Sequence, residues 1–159
     1  MSLMSDLKPA STLRPGQDLA LLLLAAGAAA TDAIHAGVVA AGFADVRPTH
    51  GFAFVRLAPN GATVGELAEH LGVTKQAASQ LVEELVRKGY AERNPHPDDA
   101  RARLITLTSK GWACTRAADA AAARFADQWA SVLGDSTVAQ LRNTLTRVVA
   151  PGRVRPATW

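Results

Sequence analysis

The stretch VGELAEHLGVTKQAASQLV, from Val64 to Val82, decides the fold. It contains two short segments with apolar residues at helical spacing, and Gly72 separates them. A glycine just past the end of a helix adopts the left-handed conformation that other residues resist, so Gly72 ends the first helix. Thr74 then serves as the N-cap of the second helix. Two helices joined by a tight turn at a steep angle form a helix-turn-helix.

The apolar positions of this stretch match the packing that a helix-turn-helix needs. Thr63 and Glu66, three residues apart, predict a capping box at the start of the first helix. The two helices can pack together only if certain positions are apolar or small. All of these positions meet that requirement: Leu67, Ala68, Leu71, Val73, Ala78 and Leu81.

The second helix is predicted to expose a hydrogen-bonding face. Glutamine can read adenine in a bidentate manner, lysine can bind guanine or phosphate, and serine can do either more weakly. The alternative is an ordinary solvated helix face, which is what polar residues at helical spacing usually form. The candidate DNA-binding residues of this helix are Thr74, Lys75, Gln76, Ser79 and Gln80.

A β-hairpin follows directly, over Tyr90 to Thr108. Its two ends read as strands, the second with alternating apolar and polar residues, and its centre is rich in Pro and Asp. Arg101 and Arg103 near the tip could enter a narrow minor groove, where negative potential is focused. Asp99, two residues before Arg101, is expected to hold that guanidinium in a fixed pose. For Arg103 a solvated surface charge remains the alternative.

Helices are predicted on both sides of this unit. A nearly continuous apolar helix runs from about Asp18 to Gly42, and a helix that is apolar all round must be buried on several sides. In a chain this short, such burial points to a partner subunit. A short helix capped by Thr49, a long helix from Ser109 to about Leu133 and a last helix over about 137–149 complete a mainly α fold of about six helices with a small β-hairpin wing.

Composition agrees with one globular domain. The 159 residues are 48% apolar and 19% charged, and the net charge of +3 is compatible with a polyanionic partner. The single cysteine, Cys114, excludes a cysteine-based zinc site, and we expect it to be a small buried hydrophobic residue. The apolar run Leu19–Ala30 has twelve residues, fewer than the roughly 20 that span a bilayer, so no membrane association is expected.

No catalytic or metal-binding pattern stands out. The four histidines show no ligand spacing, and no Ser-His-Asp or paired-carboxylate motif is present. We therefore expect no metal, no cofactor and no enzymatic activity, and the simplest localisation is the cytoplasm.

The segment from Ala62 to Gly111 resembles the DNA-binding core of the MarR family of bacterial winged helix-turn-helix regulators. The matching pieces are LAEHLGV, LVRKGYAER, DDARARLITLT and SKG, and Asp99-x-Arg101 followed by LITLTSKG is the most specific of them. The resemblance implies an obligate homodimer built by the first, fifth and sixth helices. Each protomer would place its second helix-turn-helix helix in the major groove of a pseudo-palindromic operator and its wing in the minor groove. Members usually repress, and many release double-stranded DNA when a small aromatic or phenolic ligand binds.

This resemblance implies a domain organisation. We expect a flexible N-terminal arm over residues 1–16, one MarR-like domain over 17–150 and a C-terminal tail over 151–159. Within the domain, helices at about 17–45 and 109–150 would form the dimer, and about 48–108 would form the winged helix-turn-helix. Ala100 stands where a charged residue is common in the family, so one phosphate contact of the wing is expected to be missing.

The residues predicted for a ligand pocket are His35, His50 and Trp112, from the first, second and fifth helices. The alternative for all three is that they are ordinary, partly buried residues. The function expected is therefore a sequence-specific DNA-binding transcriptional regulator, a repressor released by a ligand. The alternative is a winged-helix module that binds protein without DNA, against which Lys75, Arg101 and Arg103 argue.

Overall fold

The architecture is six helices and one two-stranded antiparallel hairpin, in a computed structural model that describes residues 15–99 and 101–149. The predicted arm (but for its last two residues), the predicted tail and Ala100 lie outside the described residues. The fold class is as expected. The elements are α1 Pro15–Ala40, α2 Pro48–Leu57, α3 Val64–Leu71, α4 Lys75–Arg87, β1 Ala91–Pro95, β2 Arg103–Leu107, α5 Ser109–Leu133 and α6 Asp135–Val148.

Helices α3 and α4 form the predicted helix-turn-helix. At the start of α3 the Thr63 hydroxyl accepts from the Glu66 N–H at 3.3 Å, and Glu66 accepts from the Thr63 N–H at 2.8 Å. Gly72 ends α3 with φ 69°, and the Thr74 hydroxyl accepts from the Ala77 N–H at 3.1 Å to begin α4. The capping box, the glycine and the second N-cap are all confirmed.

The start of α2 differs from the prediction. Thr49 lies inside the helix, because Pro48 occupies its first position and Arg47 is the N-cap. Proline suits the first position, since its missing N–H would have no partner there. The Arg47 N–H instead donates to Nδ1 of His50 at 3.0 Å. The His50 ring thus takes the part of the third helical residue in a capping box, and no threonine hydroxyl caps this helix.

The wing is anchored to the body at its second strand. Strand β1 pairs with β2 from Ala91–Leu107 to Pro95–Arg103. Ala62, in the turn before α3, exchanges two backbone hydrogen bonds with the buried Ile105 at 3.0 and 2.8 Å. The wing therefore keeps a set position relative to the helix-turn-helix.

Tyr90 lies at the centre of the core, between α4 and β1, and is fully buried. Its ring packs at 6.2 Å from the Phe43 ring and 5.7 Å from the Phe54 ring, measured between centroids. Its hydroxyl donates to Asp45 Oδ1 at 2.6 Å, which satisfies the buried polar atom. Cys114 is only 1% exposed, as expected for a small buried hydrophobic residue.

Helix α1 is not covered within one chain. The C-terminal half packs on α5, where a Cβ on Gly37 would lie 2.4 Å from the Ala121 Cβ. The N-terminal half leaves five apolar side chains between 47 and 59% exposed: Leu19, Leu21, Leu22, Leu23 and Leu24.

The apolar length of α1 also exceeds the sequence estimate. Within the described residues, Gly16–Ala40 is long and apolar enough to cross a membrane by length and composition alone. The count of twelve residues was too low, because the helix continues through Asp32 with few charges. Length and composition do not separate a membrane-spanning helix from one buried between subunits.

We expect Gly111→Ala to destabilise the protein, although alanine favours helices. A Cβ at Gly111, in the first turn of α5, would lie 2.2 Å from the backbone oxygen of Tyr90. Such overpacking costs about 1–3 kcal/mol. The matched control is Gly65→Ala in the first turn of α3, where the nearest atom is 3.9 Å away. In urea denaturation the free energy of unfolding should fall for Gly111→Ala and rise slightly for Gly65→Ala. Equal effects of the two substitutions would contradict the close contact at Gly111.

Candidate nucleic-acid interface and adjoining cavity

Helix α4 separates an apolar face from a polar one. Its buried residues are Ala78, Leu81, Val82 and Leu85, which pack into the core. Its first turn contains no acidic residue. Ala77, next to the buried Ala78, is exposed. The predicted contact residues are exposed except for Ser79, which is partly buried: Thr74, Lys75, Gln76, Ser79 and Gln80.

The wing tip presents two exposed arginines, Arg101 and Arg103. Asp99 acts there differently from the prediction. Its Oδ1 accepts from the backbone N–H of Arg101 at 2.9 Å, and no ion pair joins the two side chains in the part of the chain described. An aspartate two residues before an N–H commonly closes such a turn. Asp99 therefore shapes the tip backbone and leaves the guanidinium free.

Glu84 in α4 is the centre of a charged cluster that the sequence did not reveal. Its carboxylate pairs with Lys88 at 2.8 Å, with Arg47 at 2.5 Å, and lies 3.4 Å from Nε2 of His50. The Lys88 hydrogen bond, with smaller contributions from His50 and Arg47, lowers the pKa of Glu84 to about 2. Lys88 also donates to the Asp45 backbone oxygen at 2.6 Å. The cluster joins the second half of α4 to the segment that precedes α2.

His50 is the buried member of this cluster. Its side chain is 0% exposed, and burial lowers the pKa of its imidazole, although Glu84 opposes the shift. Nδ1 accepts from the Arg47 N–H, so a neutral ring carries its proton on Nε2 and directs it toward Glu84. A protonated ring would lose the Nδ1 acceptor. His50 is therefore a structural link between α2 and α4.

A cavity of about 300 Å³ lies between α1, the start of α2 and α5. Of the three predicted pocket residues, the structure brings only His35 to its wall. His50 is instead turned to Glu84, and Trp112 is 40% exposed elsewhere on α5. The wall is mostly apolar: Thr31, Ile34, His35, Val38, Val46, Arg47, Pro48, Gly51, Phe52, Phe54, Val55, Cys114, Ala118, Asp119 and Ala122.

Cys114 on this wall has little thiolate character. Burial raises the pKa of its thiol to about 11, so the sulfur stays protonated near neutral pH. Nucleophilic and oxidisable cysteines have lowered pKa values and accessible sulfurs. Cys114 thus contributes an apolar surface to the cavity.

The comparisons with known proteins agree with this geometry. The model of the MarR family matches residues 45–102, which include the helix-turn-helix and the first strand of the wing. Over these residues the winged helix-turn-helix is similar to the MarR family. The structure of a MarR-family transcriptional regulator from Rhodococcus sp. RHA1 has a TM-score of 0.69 at 23% identity, with 90% of this chain and 100% of that chain covered.

Two further relatives are informative about ligands and regulation. CouR from Rhodococcus jostii RHA1, solved bound to p-coumaroyl-CoA, has a TM-score of 0.67 at 25% identity over 87% of this chain and 96% of its own. The transcriptional activatory protein BadR from Rhodopseudomonas palustris is 32% identical over 89 residues. That match covers 54% of this chain and 48% of BadR, so the chain spans about half the length of this curated relative. The family's members are transcriptional regulators and not enzymes.

We expect stability to fall below pH 6.5 because of His50. Its folded pKa lies under the ordinary 6.5, so as pH drops the unfolded chain takes up a proton that the folded protein excludes. The stabilisation is complete above pH 6.5 and is lost as pH falls toward the folded pKa. His50→Asn keeps an acceptor for the Arg47 N–H and should flatten the profile between about pH 7 and 5 in urea denaturation.

The matched control is His96→Asn in the wing, outside the Glu84 cluster. The decline that Glu84 causes lies lower, between its ordinary pKa of 4.5 and its folded value of about 2, and should persist in His50→Asn. Equal slopes for wild type and His50→Asn above pH 5 would show that another group is responsible.

Proposed function

We propose that this protein is a transcriptional regulator that binds double-stranded DNA in a sequence-specific manner. The observation that carries the proposal is the outer face of α4, where Lys75, Gln76 and Gln80 are exposed and no acidic residue occupies the first turn. The opposite face is packed into the core, so the helix is held rigidly while its polar groups remain available. A helix with this arrangement fits the major groove, which is wide enough to admit it.

The two parts of the interface have different roles in this proposal. Gln76 and Gln80 read base edges through their amides, and Lys75 binds guanine or a phosphate. Arg101 and Arg103 in the wing enter the neighbouring minor groove. Asp99 supports this by fixing the turn through the Arg101 N–H, which leaves the guanidinium free for DNA.

The active form is proposed to be a homodimer. The exposed leucines of α1 are accompanied by further exposed apolar side chains: Val132 and Leu133 of α5, Val148 at the end of α6 and Val149 just after it. Extended exposed apolar surface of this kind marks an interaction site. A second copy of the same helices would cover them. The two-fold axis then predicts a pseudo-palindromic operator with half-sites about one helical turn apart.

We further propose that the protein is a cytoplasmic repressor. A small aromatic or phenolic ligand would release it from the DNA. The apolar cavity contacts both α1 and α5, the proposed dimer helices, and α2, which leads into the DNA-binding unit. CouR, a structural relative, was solved with p-coumaroyl-CoA. Since BadR is named as an activatory protein, reporter assays with and without the chain must show the direction of regulation. Lower expression in its presence is the expected result.

Gln76→Ala and Gln80→Ala should each weaken binding to the selected operator by about 1–3 kcal/mol. The same substitutions should weaken binding to random DNA far less. The reason is that amide contacts to base edges carry sequence information, whereas phosphate contacts do not. The measurement is fluorescence anisotropy on operators obtained by selection from random duplexes, at two salt concentrations. The contrasting variant is Arg101→Ala. Its loss of affinity should be larger for operators with A·T-rich flanks than for operators with G·C-rich flanks.

Two results would reject this interface. Equal loss on operator and random DNA for both glutamine variants would remove α4 as the reader. Binding without salt dependence, or no binding at all, would favour the protein-interaction module, since phosphate contacts release counterions.

We expect a dimer by light scattering at micromolar concentration. Replacing two leucines that α1 exposes, Leu21 and Leu24, with glutamate should yield a folded monomer with weakened operator binding, because buried charges oppose the interface. The control is Leu→Gln at the same positions, which should perturb the dimer less. A monomeric wild type would contradict the proposal.

A further inference from the structure

Ala77 is an apolar residue on the otherwise polar outer face at the start of α4. It is exposed, whereas the adjacent Ala78 is buried in the core. Single exposed apolar side chains are ordinary on protein surfaces. Ala77 differs because exposed amides lie beside it: Gln76 precedes it, and Gln80 follows one turn later. The helix therefore presents a methyl group and amides side by side.

The Ala77 methyl is held in a fixed position. The Ala77 N–H donates to the Thr74 hydroxyl at 3.1 Å, which anchors the first turn of α4. Ala78, the next residue, is 0% exposed and packs into the core. An alanine side chain has no rotamers, so its methyl follows the backbone and loses no side-chain entropy on binding. Ala77 is thus a rigid apolar contact surface.

The chemistry of this face matches the major-groove edge of an A·T pair. That edge presents the N7 acceptor and the N6 amino donor of adenine, together with the O4 acceptor and the C5-methyl group of thymine. A glutamine amide can bind the adenine atoms, and an alanine can pack against the thymine methyl. Unmodified G·C pairs have no methyl group. Arginine, a common partner of guanine, does not occur among the described residues from Lys75 to Gln80.

The spacing of the two groups limits which bases they can reach. Residues three apart on a helix surface, such as Ala77 and Gln80, have Cβ atoms about 5–6 Å apart. Successive base pairs are separated by about 3.4 Å along the duplex. The methyl and the amide therefore reach the same base pair or two adjacent ones.

We propose that Ala77 is a specificity-determining residue, which packs against the C5-methyl group of a thymine in the same base pair as the adenine bound by Gln80 or in the adjacent pair. This inference rests on the proposed function, because it names the base pair that the outer face of α4 selects. The same methyl group is present on 5-methylcytosine. A 5-methylcytosine at this position therefore provides the same apolar contact, whereas cytosine does not.

The test removes the methyl group from the DNA. Each thymine in one half-site of the selected operator is replaced in turn by deoxyuridine, which keeps the base pairing and lacks only the methyl group. At one of these positions wild type should bind about fourfold more weakly, the amount expected when one methyl-sized group is no longer buried. The wing cannot produce this effect from the minor groove, because the methyl group lies in the major groove. Fluorescence anisotropy measures both dissociation constants.

The matching change in the protein is Ala77→Gly. Glycine also weakens the helix, so affinity for both operators should fall. The readout is therefore the ratio of the dissociation constants for the deoxyuridine and thymine operators, which should fall from about four to about one in this double-mutant cycle. The control Lys75→Gln should bind both operators more weakly and keep a ratio of about four. Thermal melts check folding, and Ala77→Ser, a milder change for the helix, should also lower the ratio.

A second measurement adds the methyl group to a different base. The T·A pair found by the deoxyuridine scan is replaced by C·G, with either cytosine or 5-methylcytosine. Wild type should prefer the methylated duplex by about fourfold, and Ala77→Gly should bind the two duplexes equally. This arm separates the methyl contact from the contacts that adenine makes.

The outcomes separate this inference from the proposed function. The inference is overturned if no thymine responds to deoxyuridine, or if Ala77→Gly keeps the wild-type ratio. If an operator is selected and the glutamine variants lose affinity for it as expected, either of these results rejects the role of Ala77 alone. If wild type selects no operator from random duplexes, the proposed function fails and the inference fails with it.

Discussion

The burial of Tyr90 is the constraint on which the rest of the structure depends. The residue ends α4, because its N–H donates to the Leu85 oxygen at 2.9 Å, and it begins the wing. Its backbone oxygen accepts from the Thr108 N–H at 3.0 Å, which brings the return strand to the start of α5. Its hydroxyl reaches Asp45 before α2. One residue thus links α4, the wing, the start of α5 and the segment before α2.

Electrostatics reinforces this junction. Lys110 places its ammonium 4.1 Å from the centroid of the Tyr90 ring, a cation–π contact. The hydroxyl of Tyr90 lowers the pKa of Asp45, while burial and this carboxylate together raise the pKa of Tyr90. Both groups therefore keep their ordinary charge states over the physiological pH range. The charge states of this junction therefore do not change with pH in that range, whereas the nearby His50, in the Glu84 cluster, responds to acid.

The charged cluster around Glu84 lies beside this rigid junction and is built differently. Its partners Arg47 and Lys88 are partly exposed, and exposed ion pairs contribute little stability, about 0–1 kcal/mol each. The chain therefore combines a buried anchor for α4 with a weaker surface contact between α4 and the segment before α2.

The sequence alone determined the features that depend on neighbouring residues. The capping box of Thr63 and Glu66, the left-handed Gly72, the Thr74 cap and the hairpin follow from local chemistry, and all are present. Tertiary structure decided the rest. Arg47 and Glu84 are 37 residues apart, so no local pattern reveals their contact, and a single signal, the spacing of Glu84 and Lys88, was available. Two local details were nevertheless predicted wrongly: Pro48 takes the first position of α2, which puts Thr49 inside the helix, and the Asp99 carboxylate accepts from the Arg101 N–H. Local hydrogen bonds can be read from spacing, whereas side-chain partners across the core depend on how the helices pack.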